Sequence, residues 1–270
     1  MREGNLSHEK IEGNCRYCGE YTQLCEAHIV PKAFFRAIKK LDGSKFLYVH
    51  DGKHDHESTT PMGFWDNHIL CATCDNKLGV YDNNFFTYLT KTNFDIYRKE
   101  LFPCHYYQLN MDSETYLNTK LFFASLLYRA SISQIGFSRN VNLGNKYELL
   151  MKDFIKRKYA DIKELVVIPM KLYSFKTDPR QAIEGIYRNN IDGVNGYSII
   201  LYGFKFWIKV DQRPVPKSLD LFSFHEGEIF IPEDEYEKTS DYRAAVELAK
   251  KFHNKKQEFF PLGEKLKTGF

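Results

Sequence analysis

Apolar residues recur at helical intervals through most of the first 160 positions and in short alternating or continuous runs after them. Lys32 to Lys40 has helical spacing, with its basic residues on the outer side. Between Asp75 and Leu89 the residues Leu78, Phe85, Phe86 and Leu89 form one stripe, and Asp75 occupies the first turn, where a helix N-terminus favours a carboxylate. Asp82 lies seven residues further on, inside that apolar stripe, and a carboxylate there requires a partner. Tyr116 to Ser133 reads as a buried helix, and Lys146 to Tyr159 as an amphipathic one carrying a Lys156-Arg157-Lys158 cluster. Strand-like runs follow at residues 165–170, 197–202, 204–210 and 228–231, with Gly203 placed for the turn between the middle two. Ser240 is positioned to cap a closing helix that runs to Lys256. From Gly43 to Asn67 the pattern fades, which predicts a long irregular loop or a loose hairpin. The expected fold class is α+β, with a module over residues 1–100 and a mixed α+β domain over 101–270.

Length supports this division, since 270 residues suffice for one large or two modest cores. With 43% hydrophobic and 27% charged residues the composition is that of a globular chain, not a disordered one. No run reaches the roughly 18 apolar residues that a membrane helix needs, and the first residues are polar. The cytoplasm is the expected compartment, with no membrane partner. A net charge of +3 permits nucleic-acid binding without demanding it.

Cysteine spacing changes the picture most. Cys15-Arg16-Tyr17-Cys18 and Cys71-Ala72-Thr73-Cys74 each present two thiols, and six cysteines without a secretion signal point to metal ligation instead of disulfides. Four thiolates at about 2.3 Å from one ion make a closed tetrahedral zinc site with no open position for substrate, so this zinc is structural. Such an ion ties residues near 16 to residues near 73 and holds Ala27-His28-Ile29-Val30-Pro31 between them. Cys25 and Cys104 are left over, Cys25 either filling the core of the site or substituting as a ligand. Arg129, in its apolar helix, is expected to snorkel or to be paired internally. His50, His54 and His56, around Asp51 and Asp55, read as a solvated polar loop before they read as a metal site.

The string Cys15-x-x-Cys18, then Ala27 to Lys32, then Ile69-Leu70-Cys71-Ala72-Thr73-Cys74-Asp75-Asn76-Lys77-Leu78-Gly79 resembles the zinc-containing HNH endonucleases of the ββα-metal class over about residues 15–89. The resemblance implies His28 as general base and Asn67, or its neighbour Asp66, as the brace of the site. It also implies Asp75 as the helix ligand of a catalytic Mg²⁺ or Mn²⁺. Ala27 departs from the pattern, because many members carry an acid there as a second ligand; Asp82 or Glu26 is the substitute within reach. Physical chemistry agrees with these roles: neutral imidazole is a fit base at pH 7, and a hard divalent ion prefers carboxylate and phosphate oxygens. Lys32 or Arg36 is the expected phosphate contact. The Leu126-Leu127-Tyr128-Arg129-Ala130-Ser131 segment is similar to uncharacterised bacterial HNH proteins, which are often found in defence against foreign DNA. A metal-dependent DNA endonuclease is thus the leading expectation, its second domain binding target or assembling with a partner NTPase or sensor. A zinc-ribbon module that grips nucleic acid or protein without cutting is the other reading, and Ala27 supports it.

Overall fold

The computed structural model describes residues 11–43, 47–50, 57–60, 63–101, 104–158, 162–240 and 243. The chain opens with strands β1 (Glu12–Asn14), β2 (Tyr21–Gln23) and β3 (Ala27–His28), helix α1 (Lys32–Asp42), and strands β4 (Leu47–His50), β5 (Glu57–Thr60) and β6 (Trp65–Asp66). Helix α2 (Ala72–Lys91), strands β7 (Arg98–Leu101) and β8 (Cys104–Met111), and helices α3 (Ser113–Ile132) and α4 (Gly144–Arg157) come next. Strands β9 (Leu165–Tyr173), β10 (Tyr187–Ile191), β11 (Val194–Leu201), β12 (Phe204–Val210) and β13 (Gly227–Glu235) complete a mixed α+β architecture. The closing helix expected from Ser240 onward falls almost entirely outside the described residues.

Seven strands form one sheet in the order β10-β11-β12-β9-β13-β8-β7. Every pairing is antiparallel except β9 with β13, where Glu233 lies opposite Lys171 in parallel register. The β11–β12 link is the two-residue turn Tyr202-Gly203, both at positive φ, and Asp192-Gly193 makes the same kind of turn between β10 and β11. Paired positive φ values give a turn whose twist matches that of the strands it joins. β4 and β5 form a separate hairpin, so the segment after Gly43 takes the loose-hairpin form.

Local chemistry sets the helix ends. The Asp112 carboxylate accepts the Thr115 N–H at 2.7 Å and so caps α3. Lys39 and Lys40 sit in the last turn of α1, where positive charge complements the exposed carbonyls. α3 is apolar nearly all round and is buried accordingly, between the sheet, α2 and α4. Its two buried cations need partners, and Lys120 finds one in the Ile162 carbonyl at 3.1 Å.

Aromatic rings carry the packing from helices to sheet. Phe85 of α2 stacks on Phe122 of α3 with centroids 4.3 Å apart, and both Phe85 and Phe123 meet Phe206 of β12 edge-on or tilted, at 5.7 and 4.9 Å. Rings of this size dominate core energetics, and offset or edge contacts add to their burial. One buried apolar cluster runs from Cys15 to Ile231, taking residues from both sides of position 100.

Candidate functional site

The two cysteine pairs are placed by different local structures. Cys15 and Cys18 sit on the tight loop joining β1 to β2, where Gly19 N–H donates to the Cys15 carbonyl at 2.7 Å and Cys15 N–H to that of Glu20 at 2.9 Å. Cys71 stands immediately before α2 and Cys74 lies in its first turn, held there as Asp75 N–H donates to the Cys71 carbonyl at 2.9 Å. Two backbone hydrogen bonds clamp the halves together, Arg16 N–H to Ile69 O and Cys25 N–H to Leu70 O, each 2.9 Å. As a result the four sulfur atoms all lie within 4.8 Å of one another. Sulfurs around a tetrahedral zinc with bonds of about 2.3 Å stand about 3.8 Å apart, so the cluster can hold a metal such as zinc.

Electrostatics at the cluster favour a cation. Burial pushes the Cys15 thiol up, but hydrogen bonds from the backbones of Cys18, Cys71 and Tyr17 prevail and bring it down to about 7. One of these is Cys71 N–H to Cys15 Sγ, at 3.4 Å. Cys74 is pushed up, by burial first and by sharing hydrogen bonds with the other sulfurs second, as befits thiols crowded without a positive charge between them. Cys25 lies outside the four, and burial pushes it up to about 12, so it stays a neutral thiol filling space.

β3 leaves this cluster and pairs with β6, setting Ala27 opposite Asp66 and His28 opposite Trp65. The His28 ring lies 5.8 Å from the Trp65 ring and hydrogen-bonds the Glu26 backbone, while its Nε2 is buried with no hydrogen-bond partner among the described residues. The proton therefore belongs on the other nitrogen, and Nε2 presents its lone pair. Burial, then the charges of Lys32 and Arg129, hold the imidazole below its usual value of 6.5, so it is neutral at pH 7.

Arg129 of α3 organises the surroundings. Its side chain is 1% exposed, and its Nη1 donates to the His28 carbonyl at 2.8 Å and to Asp82 Oδ2 at 2.9 Å. Nη2 donates to Asp82 Oδ1 at 2.6 Å, completing a two-pronged ion pair with the carboxylate that the α2 stripe left in need of a partner. Both Asp82 oxygens are thus engaged. Asp75 stands seven residues earlier on nearly the same helix face, half-buried, with no side-chain hydrogen bond among the described residues. Burial pushes its carboxyl above the usual range, Arg129 pulls it back, and Asp82 raises it again. Such a group is stabilised by any further positive charge.

The remaining expected residues lie around this centre. Lys32 opens α1, close enough for its charge to act on His28, and Arg36 is exposed one turn later. Ala27 is fully buried and Glu26 is exposed. Asn67 lines a cleft of about 620 Å³ shared with Arg16, Asp66, His68 and Gln134. Its neighbour Asp66 accepts His68 N–H at 2.8 Å, Ser133 Oγ–H at 2.7 Å and Gln134 N–H at 3.2 Å, tying β6 to the end of α3. The side chains of His50, His54, His56, Asp51 and Asp55 lie outside the described residues.

Two residues with no signal in the sequence also support the site. Tyr128 Oη of α3 and Lys152 Nζ of α4 both donate to the Arg16 carbonyl at 2.8 Å, fixing the first cysteine loop against the helices. Arg129 and Asp82 did carry a signal, two opposite charges each stranded in an apolar helix stripe, and pairing them was available from that complementarity. No protein-family model, curated protein or solved structure matches this chain.

Metal analysis of the purified protein is expected to find about one zinc per chain, and Cys71→Ala is expected to lose it and to unfold at markedly lower temperature, since metal binding in such sites is folding energy. Protein whose four cysteines are found in disulfides would overturn this. Asp82→Ala is expected to cost about 3–5 kcal/mol in urea unfolding, because it leaves a buried guanidinium without its counter-charge, whereas Asp82→Leu combined with Arg129→Met should recover most of that loss. An Asp82→Ala protein as stable as wild type would show that the ion pair does not hold α2 to α3.

Proposed function

We propose that the chain is a metal-dependent endonuclease hydrolysing DNA phosphodiester bonds in a ββα-metal module formed by β3, β6 and α2. The observation that supports this reading most is the His28 imidazole, neutral at pH 7, with one nitrogen fixed on the backbone and the other buried and unpartnered. A buried polar atom left without a partner calls for a reacting group or a water, and in this reading the attacking water takes that place.

In this mechanism His28 Nε2 takes a proton from water as the water oxygen bonds to phosphorus and the ester P–O bond breaks, the departing oxygen collecting a proton from solvent. Arg129 touches none of the reacting atoms; it is a positioning residue that holds β3 by the His28 carbonyl. Asp75, with the one carboxylate of the α2 pair that has no side-chain hydrogen bond among the described residues, would hold Mg²⁺ or Mn²⁺. When bound, such an ion supplies positive charge to the phosphate in its transition state. Lys32 and Arg36, one turn apart on α1, would meet a backbone phosphate, the lysine as a point charge and the arginine as a fork. The four-cysteine site has no open position and stays structural.

A second reading, a zinc-ribbon binder that does not cut, draws on two observations. Ala27 is fully buried where an acid would add a ligand, and Asp82 is occupied by Arg129. Plasmid nicking separates the two. With Mg²⁺ or Mn²⁺ added, wild type is expected to nick supercoiled DNA and His28→Ala to be slower by at least about 10²-fold, the usual lower range for losing a positioned base, with zinc content and melting temperature unchanged. A His28→Ala protein that cuts at the wild-type rate sinks this mechanism, and a wild type inert with both ions transfers the reading to the binder.

The pH profile follows from the lowered His28 value. The base stays unprotonated below 6.5, so the acid limb of cleavage is expected to fall at a pH lower than the ordinary imidazole value. Stability should follow the same sign: the unfolded chain takes up the proton first, so this group's contribution declines as pH drops from about 6.5 towards the lowered value. An acid limb centred at or above 6.5 would place the essential base elsewhere.

A further inference from the structure

On the other side of α2 from the Asp75 face, a groove of about 510 Å³ runs between the cysteine cluster and α4. Tyr17, Cys18 and Cys74 line one end, and Lys77, Lys156 and Lys158 stand over it. Among the described residues no acidic side chain lines the groove, although the chain carries 35 acids against 38 bases. All three lysines are exposed, and none forms an ion pair among the described residues. The nearest acid on α4, Asp153, is taken up by Arg157 at 2.7 Å.

The ammonium groups are placed as well as free. Lys156 Nζ lies over the Tyr17 ring at 5.5 Å, and Lys158 Nζ over the Tyr81 ring at 5.6 Å, both rings being buried. Lys158 ends α4 in the left-handed conformation, φ 51°, a position that glycine takes with less strain. The backbone there turns the lysine that complements the end of α4 onto the groove as well.

We propose that this groove holds the sugar-phosphate backbone of duplex DNA beyond the cut site. Three lysines with no ion-pair partner and no acid beside them among the described residues match a polymer that carries one negative charge per roughly 1.7 Å of its axis. Lys77 lies two residues, about 200°, round the helix from Asp75, so α2 presents the groove on one side and the reacting group on another. The two sites are separated by about the 10–12 Å width of one helix, short against the roughly 34 Å of a duplex turn, so one DNA molecule reaches both. The identity of the polyanion rests on the nuclease reading; the groove and its charge do not.

The test is fluorescence anisotropy of a labelled duplex of about three turns, or about 30 base pairs, without added Mg²⁺ or Mn²⁺, with salt titrated. Lys77→Gln, Lys156→Gln and Lys158→Gln combined should weaken binding at least about tenfold and lower the slope of log affinity against log salt by about 2 to 3, near 0.9 per lost phosphate contact. The same three positions changed to Arg should bind as wild type does, and both variants should match wild type in zinc content and melting temperature. Wild type and the Gln variant binding alike, with equal slopes, would overturn the groove while leaving His28-dependent nicking untouched. Loss of binding in the Gln variant from a wild type that never nicks DNA would support the groove and sink the nuclease. Displacement of the duplex by poly-glutamate at equal charge concentration would overturn the assignment to nucleic acid in favour of an acidic protein partner.

Discussion

A guanidinium sealed from water is among the least tolerable groups a protein interior can hold, and Arg129 is 1% exposed. Transferring such an ion into a low-dielectric medium costs of order 20 kcal/mol in the ideal case and still several after relaxation. The Asp82 carboxylate and the His28 carbonyl are what make it possible. Because those two acceptors belong to α2 and β3, satisfying the charge fixes how both elements sit against α3. The candidate base therefore has its backbone set by a residue 101 positions away, and its ring is free of the supporting role.

The helix that supplies this arginine is itself wedged in place. Phe123, with Phe122 packed against it, presses α3 on the sheet through Phe206, while Tyr128 on the next turns reaches the loop of Cys15 and Cys18. Positions a few residues apart on one helix thus connect the strand layer, the ion pair and the cysteine cluster. Site and sheet share their supports, which is why the buried cluster shows no break at residue 100.

What the sequence discloses follows from the range of each interaction. The helices and the later strands are readable because their signals lie within a few residues, and the four cysteines because pairs spaced two apart need only one long-range meeting. Asp82 announces that it needs a partner, but the partner lies 47 residues away in a helix whose own charge sends the same incomplete message. Asp192-Gly193 is a strong hairpin signal that defines the edge strand β10, and it is overshadowed in the sequence by the polar stretch around it. β7 and β8 are harder, since Arg98-Lys99-Glu100 is charged and Cys104 to Met111 mixes polar and apolar residues, and their strand character rests on pairing with each other and of β8 with the distant β13. Nothing local distinguishes Asp66 from Asn67; only the folded position of Ser133 gives Asp66 its tie to the end of α3.

The pairing of β8 with β13 sets a schedule for the chain's own synthesis. Gln108 and Glu228 join across the two strands 120 residues apart, and at about 5–20 residues per second a ribosome takes roughly 6 to 24 s to make the second after the first. Through that interval β8 has an open edge on the side that β13 later fills, a surface to which other strands can add. β9 likewise waits for β13, because their short parallel stretch is the seam between two otherwise antiparallel halves of the sheet. Completion of the sheet therefore waits for β13, the last of its seven strands to be made, long after α3 and α4 have left the ribosome.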